Sequence, residues 1–438
     1  MKVYLESLGC ARNQVDSELM LGDLAEAGAI VTDHPHEADI IIVNTCAFIE
    51  AAVNETIDVI FELARFKKIG VCRRLIVIGC FPERFGESMV SKMPEVDLFL
   101  GAGAYDKIKD AVFQSADIPT CFLPDPEGSW RYKKISPRQL TEKQTAYLRI
   151  AEGCDRHCSY CIIPKLRGKQ RSRPIDEALD EARFLLSSGV KEINLVAQET
   201  TAYGQDLDGK NRFAELLSSM ARVSNGAWIR FLYGHPESLS KDAIRVIAEE
   251  PDICSYFDLP IQHASDSILK KMGRPGQRDD LLKLFAFIRE QIPNAVLRTS
   301  AIVGFPGETE QDVQTLLAFM EEVQFDHVGV FVYSDFDDLP SHRLKNHVPP
   351  EMAQDRRDRL MSRQKVISLN KNQKYLETIT KTLIEKKIED GIWQGRGFFQ
   401  APEVDGVIYV HGNHLAVGDF VDVEIIDAME YDLVGEVI

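Results

Sequence analysis

No apolar run in this 438-residue chain approaches the ~18 residues that a membrane-spanning helix needs, so no such helix is expected. The first residues, MKVYLESLGCARNQ, have neither a basic start nor an apolar stretch; no secretory signal is read there, and the expectation is a cytosolic protein. Positive charge is in deficit, with a net charge of -17. Bulk neutralisation of nucleic-acid phosphates is therefore not expected. A basic macromolecular partner fits better, with simple solubility as the plain alternative. Cysteine is sparse and odd in number, nine in all, which speaks against a disulfide framework and for metal ligation or free thiols. The length exceeds the roughly 250 to 300 residues that one core supports, so two to four domains are expected.

What is present is concentrated in six of those cysteines, in two groups of three. Cys154, Cys158 and Cys161 stand in GCDRHCSYC with the spacing C-x3-C-x2-C. Three thiolates so spaced can converge on three irons of a cubane cluster, leaving the fourth iron without a protein ligand and free to bind a small molecule. A zinc site with His157 as fourth ligand is the alternative, although this spacing is uncommon for zinc. The second group, Cys10, Cys46 and Cys80, is scattered in sequence, and each member follows an expected strand directly. In open parallel sheets ligands bind at the carboxyl ends of the strands, so these three can meet at one edge; taken singly, each is also what a small buried core residue looks like. Cys72, Cys121 and Cys254 have no such placement and are read as core or incidental thiols.

Hydrophobic periodicity divides the chain into four parts. Residues 1–115 alternate strands (Val3 to Leu8, Asp39 to Val43, Leu75 to Ile78, Asp97 to Leu100) with helices (Val15 to Ala27, Phe48 to Phe66, Glu83 to Lys92), the rhythm of a doubly wound α/β sheet. Residues 116–145 form a connector, with Pro119, Pro124, Pro126 and Pro137 and one hairpin. Residues 146–370 carry six further strands (Ala146 to Ile150, Glu192 to Ala197, Trp228 to Tyr233, Tyr256 to Leu259, Val296 to Val303, Val328 to Tyr333). They imply a partial parallel barrel with the C-x3-C-x2-C loop at its C-terminal mouth. Glu351 to Lys374 reads as a solvated helix bridging two domains, its apolar positions being Met352, Leu360, Met361, Val366 and Leu369. Residues 371–438 read as a small antiparallel β-barrel.

The cysteine loop, with Tyr160 before its last cysteine, resembles the radical S-adenosylmethionine superfamily across the barrel segment. VGFPGET (Val303 to Thr309) resembles the cofactor-binding strand of these enzymes, and AQETT (Ala197 to Thr201) ends the strand where they meet the methionine moiety. The resemblance implies that Cys154, Cys158 and Cys161 hold a catalytic 4Fe-4S cluster, with Tyr160, Gln198, Glu199, Val303 and Gly304 at the S-adenosylmethionine site. It also implies reductive cleavage of that cofactor to a 5'-deoxyadenosyl radical able to take hydrogen from an unactivated C-H bond. Turn chemistry alone would also account for both strand-end segments.

Two three-cysteine sites in this order, followed by a small β-barrel, resemble the methylthiotransferases over essentially the full length. The resemblance implies that Cys10, Cys46 and Cys80 hold a second, auxiliary 4Fe-4S cluster carrying the sulfur to be transferred. YLRIAEGC, RSRP, WIRFLY and APEVDG look like the RimO type, which modifies an aspartate of small-subunit ribosomal protein S-twelve. Charge agrees, because Glu377 to Ile438 holds thirteen acidic residues against four basic ones (Lys381, Lys386, Lys387, Arg396), a net of -9. That suits a basic ribosomal protein, free or on the small subunit, better than tRNA. An external electron donor and a sulfide source are implied as partners. A tRNA adenosine methylthiotransferase, a two-cluster electron-transfer protein and a ribosome-binding module with structural clusters are the alternatives. The run Asp335, Phe336, Asp337, Asp338, Leu339 departs from the EEGT-like sequence usual in the family. His235 and His263 lie near strand ends, each as readily structural as substrate-facing.

Overall fold

The computed structural model describes residues 1–114, 119–128 and 138–438, so the hairpin expected in the connector, and Pro137, lie outside the described residues. Near-continuous apolar runs such as IIIVNT and RLIVIG form strands because both of their faces are buried. Strands β1 (Lys2–Ser7), β3 (Ile40–Thr45), β4 (Arg74–Gly79) and β5 (Leu98–Gly101) are joined by the two-residue β2 (Ile30–Val31) and β6 (Cys121–Phe122), too short to show a period in sequence. All six are parallel in the order β2-β1-β3-β4-β5-β6, with the odd and even residues of each strand feeding separate cores on the two faces. The consequence for function is that β1, β3 and β4 are neighbours, so the loops leaving their carboxyl ends open side by side.

The helix expected over Glu83 to Lys92 is instead a short helix, Cys80–Phe85, followed by a 3-10 turn, Gly86–Met89. Pro82 sits in the first turn, where its missing N-H costs nothing, and Gly86 at φ 60° ends the helix.

The second body has six parallel strands in two sheets. One has the order β11-β10-β7, from β7 (Thr145–Arg149), β10 (Glu192–Val196) and β11 (Trp228–Phe231); the other is β12-β13-β14, from β12 (Tyr256–Asp258), β13 (Val296–Val303) and β14 (His327–Val332). A bridge between Ile229 and Ile253, and the Gly234 N-H donating to the Asp258 carbonyl at 3.0 Å, join them into one open barrel. A two-residue antiparallel pair, β8 (Ala151–Glu152) and β9 (Arg171–Ser172), brackets the cysteine loop.

The helix Pro350–Asn372 lies against this barrel. Of its apolar positions Met352 and Val366 are exposed, while Arg356 and Gln364 are buried. The polar pair is inside because it has partners there: Gln364 donates to the Phe325 carbonyl at 2.9 Å and Arg356 to the Glu308 carbonyl at 3.3 Å.

The last five strands, β15 (Ile379–Glu389), β16 (Ile392–Gly397), β17 (Ile408–His411), β18 (Phe420–Ala428) and β19 (Leu433–Val437), close into a barrel of order β15-β16-β17-β19-β18. It is not wholly antiparallel, since β17 and β19 pair parallel. An odd number of strands around a closed ring cannot alternate throughout, so one parallel pair is obligatory. This barrel packs against the amino ends of the central strands: Arg396 pairs with Glu192 at 2.5 Å, the Phe420 ring lies 4.8 Å from Trp228, and the Tyr256 hydroxyl donates to Asp405 at 2.5 Å. Among the described residues no helix is long and apolar enough to cross a membrane.

Candidate functional site

Local backbone geometry brings the first trio together. Cys10 caps the helix α1 (Ala11–Glu26) that follows β1, Cys46 follows β3 at once, and Cys80 is the first residue after β4. Gly9 before Cys10 has φ 97°, and a Cβ there would lie 2.6 Å from Cys46 Cβ, so the two loops touch and only glycine fits between them. Burial first, then the charges of Cys10 and Cys80, push the Cys46 thiol up to about 12; Cys80 is raised by burial against the pull of Arg167. Cys10 goes the other way: burial opposes it, but Arg12, the Asn13 N-H and Arg167 together lower it. Cys72 and Cys254 are buried, and Cys121 is half-buried on the edge strand β6.

The second trio lies in the loop after β8, at the carboxyl end of the first barrel strands. Gly153 at φ 79° turns the chain so that Cys154 N-H donates to the Gly168 carbonyl at 3.1 Å, and the Cys161 N-H closes a turn onto Cys158 at 3.0 Å. Burial, opposed by the Arg156 N-H, raises Cys154 to about 11, and burial with the charges of Cys158 and Cys154 raises Cys161 to about 12. Ser159 anchors the loop to Met272 and Lys271 at 2.9 and 2.8 Å. His157 is exposed. Among the described residues, no three His, Cys, Asp or Glu side chains gather as ligands of a single ion would.

One guanidinium lies within electrostatic reach of both trios. Arg12 acts electrostatically on Cys10 and Cys46 and also on Cys161, and donates to the Ala197 carbonyl at 2.8 Å at the end of β10. From the barrel side, Arg167 reaches Cys80 Sγ at 3.4 Å, Asn13 at 3.0 Å, Tyr105 at 3.2 Å and Asp16 at 3.1 Å. Arg149 bridges Asp16 to Glu152, so two carboxylates and two guanidiniums stand buried and balanced between the bodies. The divergent run makes a further tie: Arg84 pairs with Asp338 at 2.6 Å and lies 3.8 Å from the Phe336 ring centre, four residues beyond Cys80.

Of the residues expected at the cofactor, Tyr160 and Glu199 lie beside the second trio. Tyr160 receives a hydrogen bond from Arg274 at 3.3 Å and packs against the small cluster of Ile268, Met272 and Phe305, the last in VGFPGET. Gln198 donates to Glu152 at 2.5 Å, and its Oε1 is buried with no partner among the described residues. Glu199 accepts two bonds from Arg156 at 2.9 Å and lies 4.0 Å from Cys154 Sγ. Val303 ends β13, buried; Gly304 after it has a packing reason to be glycine, because a Cβ would meet that of Ala353 at 2.4 Å. Burial raises Glu308 in the same motif to about 7 against the pull of Arg356. His235 and His263 are both buried and held neutral, pushed down to about 2 and about 4, first by burial.

Asp16, Arg149, Glu152 and Arg167 escape sequence reasoning. The signal available was Asn13, Asp16 and Ser17 at helical spacing just after Cys10, a polar stripe that is buried.

A cysteine loop at the mouth of an open parallel barrel defines a radical S-adenosylmethionine protein, and three family models match in order. They are Uncharacterized protein family UPF0004 over residues 2–101, the Radical SAM superfamily over 148–320 and the TRAM domain over 378–438. Among curated proteins, the chain is 50% identical to "Ribosomal protein uS12 methylthiotransferase RimO" of Desulfosudis oleivorans, covering 100% of both chains. It is 46% identical to the protein of the same name from Clostridioides difficile, covering 100% of this chain and 99% of that one. The chain belongs to the RimO family of methylthiotransferases. Among solved structures, the radical S-adenosylmethionine methyltransferase TsrM from Kitasatospora setae shares the fold, with a TM-score of 0.56 at 14% identity over 76% of this chain and 74% of that one.

Proposed function

We propose that this chain transfers a methylthio group to the β-carbon of an aspartate in ribosomal protein S-twelve, Cys10, Cys46 and Cys80 holding an auxiliary 4Fe-4S cluster and Cys154, Cys158 and Cys161 the radical-generating one. The observation that carries the reading is that one residue, Arg12, acts on members of both trios while it is bonded to the end of β10 at the barrel mouth. Each trio fits its cluster by its donor set, three thiols on fixed backbone turns; burial raises Cys46, Cys80, Cys154 and Cys161, so a bound cation is what would compensate their thiolates. Bound there, the two clusters and S-adenosylmethionine supply a transferable sulfur, its methyl group and a carbon radical able to open a C-H bond.

The chain's own residues provide place and order. Tyr160, Gln198, Glu199, Val303 and Gly304 line the position for S-adenosylmethionine; the unpartnered Gln198 Oε1 is an acceptor that suits its ammonium group. Glu199 and Arg156 fix the cysteine loop to the end of β10, and the Asp16–Arg149–Glu152–Arg167 network holds the two sites in register. The working division is residues 1–115 for the auxiliary site, 116–145 as connector, 146–370 for the radical barrel and 371–438 for docking.

The substrate end of the reading rests on charge. Arg396 is buried in ion pairs, so the last barrel shows nine exposed acidic residues against three exposed lysines, a surface suited to a basic protein. The partners that follow are S-twelve, free or in the small subunit, an external electron donor and a sulfide source, all in the cytosol. The test is an anaerobic competition in which reconstituted enzyme, reductant, sulfide and S-adenosylmethionine meet small ribosomal subunits and unmodified tRNA together. A methylthio mass gain on an S-twelve aspartate is expected; a gain on tRNA adenosine overturns the substrate, and no cofactor cleavage overturns the chemistry.

A further inference from the structure

The proposed reaction leaves one requirement without a residue. The carbon that loses its hydrogen carries a carboxylate, and a carboxylate brought into a secluded site beside two cysteine-ligated clusters loses its water and stays charged only if a cation meets it. Arg12 stands where that cation is needed. Its charge reaches Cys10 and Cys46 on one side and Cys161 on the other, and one of its N-H groups is spent on the Ala197 carbonyl at 2.8 Å.

Among the described residues the rest of the guanidinium makes no further hydrogen bond or ion pair, and Glu152 acts on it only at longer range. Among the described residues no carboxylate lies within ion-pairing reach of Arg12, whereas the neighbouring Arg149, Arg156 and Arg167 are all engaged by carboxylates. Arg12 as a residue is half-buried. A second feature supports a built site. The Tyr233 ring lies 4.6 Å from the Arg12 guanidinium carbon, and Tyr233 is held at φ 61°, a conformation disfavoured for any residue with a Cβ. Two hydrogen bonds impose it, from the Tyr233 N-H to Asp258 at 2.8 Å and from the Thr200 N-H to the Tyr233 carbonyl at 3.1 Å. The chain thus holds an aromatic platform in a strained conformation to orient a guanidinium that has no carboxylate partner.

We infer that Arg12 receives the side-chain carboxylate of the target aspartate, two N-H groups to two oxygens, and so both selects aspartate and sets its β-carbon between the two clusters. The inference rests on the reading of an S-twelve aspartate as substrate. A forked guanidinium matches a carboxylate, while an asparagine amide offers only one acceptor oxygen and no charge.

The test uses the full chain as wild type, Arg12→Gln and Arg12→Lys, each with iron and sulfide content and electron paramagnetic resonance spectra recorded for both clusters. Each is given S-twelve with aspartate or asparagine at the target position. Binding is measured without reductant, and methylthio incorporation with it. Wild type should prefer the aspartate protein, and Arg12→Gln with both clusters present should lose about 10- to 100-fold of that preference, the range expected for a charge-assisted fork. Arg12→Lys, which keeps the charge but not the fork, should fall between them. An Arg12→Gln enzyme with wild-type preference overturns the inference. If that variant takes up too little iron, unchanged preference in Arg12→Lys overturns it instead. Wild type that modifies neither protein removes the S-twelve reading itself, and the inference with it.

Discussion

A methyl group at position 153 would lie 2.0 Å from the Lys169 carbonyl oxygen, and the residue sits at φ 79°. Gly153→Ala therefore cannot be absorbed by a side-chain shift, and the turn that delivers Cys154 must open. The expected result is a chain destabilised by about 2 kcal/mol or more that loses the iron of the Cys154 trio while keeping that of the Cys10 trio; iron content and the two spectroscopic signals decide it. A second residue-scale expectation concerns acid. His263 is fully buried, its Nδ1 accepts the Ala264 and Ser265 N-H groups at 3.0 and 2.9 Å, and its folded pKa is lowered from 6.5 to about 4. Between those values the unfolded chain binds a proton that the folded chain refuses, so stability is complete above about 6.5 and falls as pH drops toward 4, by on the order of 3 kcal/mol at most. Melting temperatures measured from pH 7 to pH 4.5 should fall less steeply in His263→Gln. The two cysteine trios could be singled out because their spacing, or their place after strands, is a local signal. Arg12 and Arg167 were not, since what gives them meaning is a partner 185 residues away in one case and 87 in the other.

At the scale of elements, the run from Asp335 to Leu339 changes meaning once its neighbour is known. In sequence it is a departure from a family pattern; in space, Asp338 and Phe336 close on Arg84, whose side chain is 1% exposed, in the helix that begins at Cys80. This loop straps the first body to the end of the barrel beside the auxiliary trio. Asp338→Ala leaves a buried guanidinium without its carboxylate, at a cost of about 2 kcal/mol, less than for a fully enclosed pair because Asp338 is 23% exposed. Amide exchange should then speed up over Cys80–Met89 and leave β10 and β11 unchanged; equal exchange throughout would deny the strap. In the first two bodies every strand of three residues or more was readable as a short apolar run. The short helix at Cys80 was not, because Pro82 and Gly86 punctuate it more strongly than its apolar residues pattern it.

At the scale of the whole molecule, charge and chemistry are kept at opposite ends. The cysteine loops leave the carboxyl ends of the central strands, whereas the acidic barrel packs on their amino ends through Glu192, Trp228 and Tyr256. A strand of six residues spans about 20 Å, so a protein substrate gripped by the barrel must extend a loop over that distance to reach the mouth. Grip and chemistry should then separate in kinetics. Strand β18 presents Asp422, Glu424 and Asp427 to solvent, and replacing all three with Asn, Gln and Asn removes charge without touching the core. Because these acids act on encounter and binding rather than on the reacting carbon, KM for S-twelve should rise about tenfold at low salt with kcat unchanged. The wild-type enzyme should approach the same KM as ionic strength rises and screening shortens to about 8 Å near 0.15 M. A fall in kcat instead would mean that the barrel helps to set the target aspartate at the mouth. An unchanged KM would mean that S-twelve is held elsewhere, at the cysteine end of the strands.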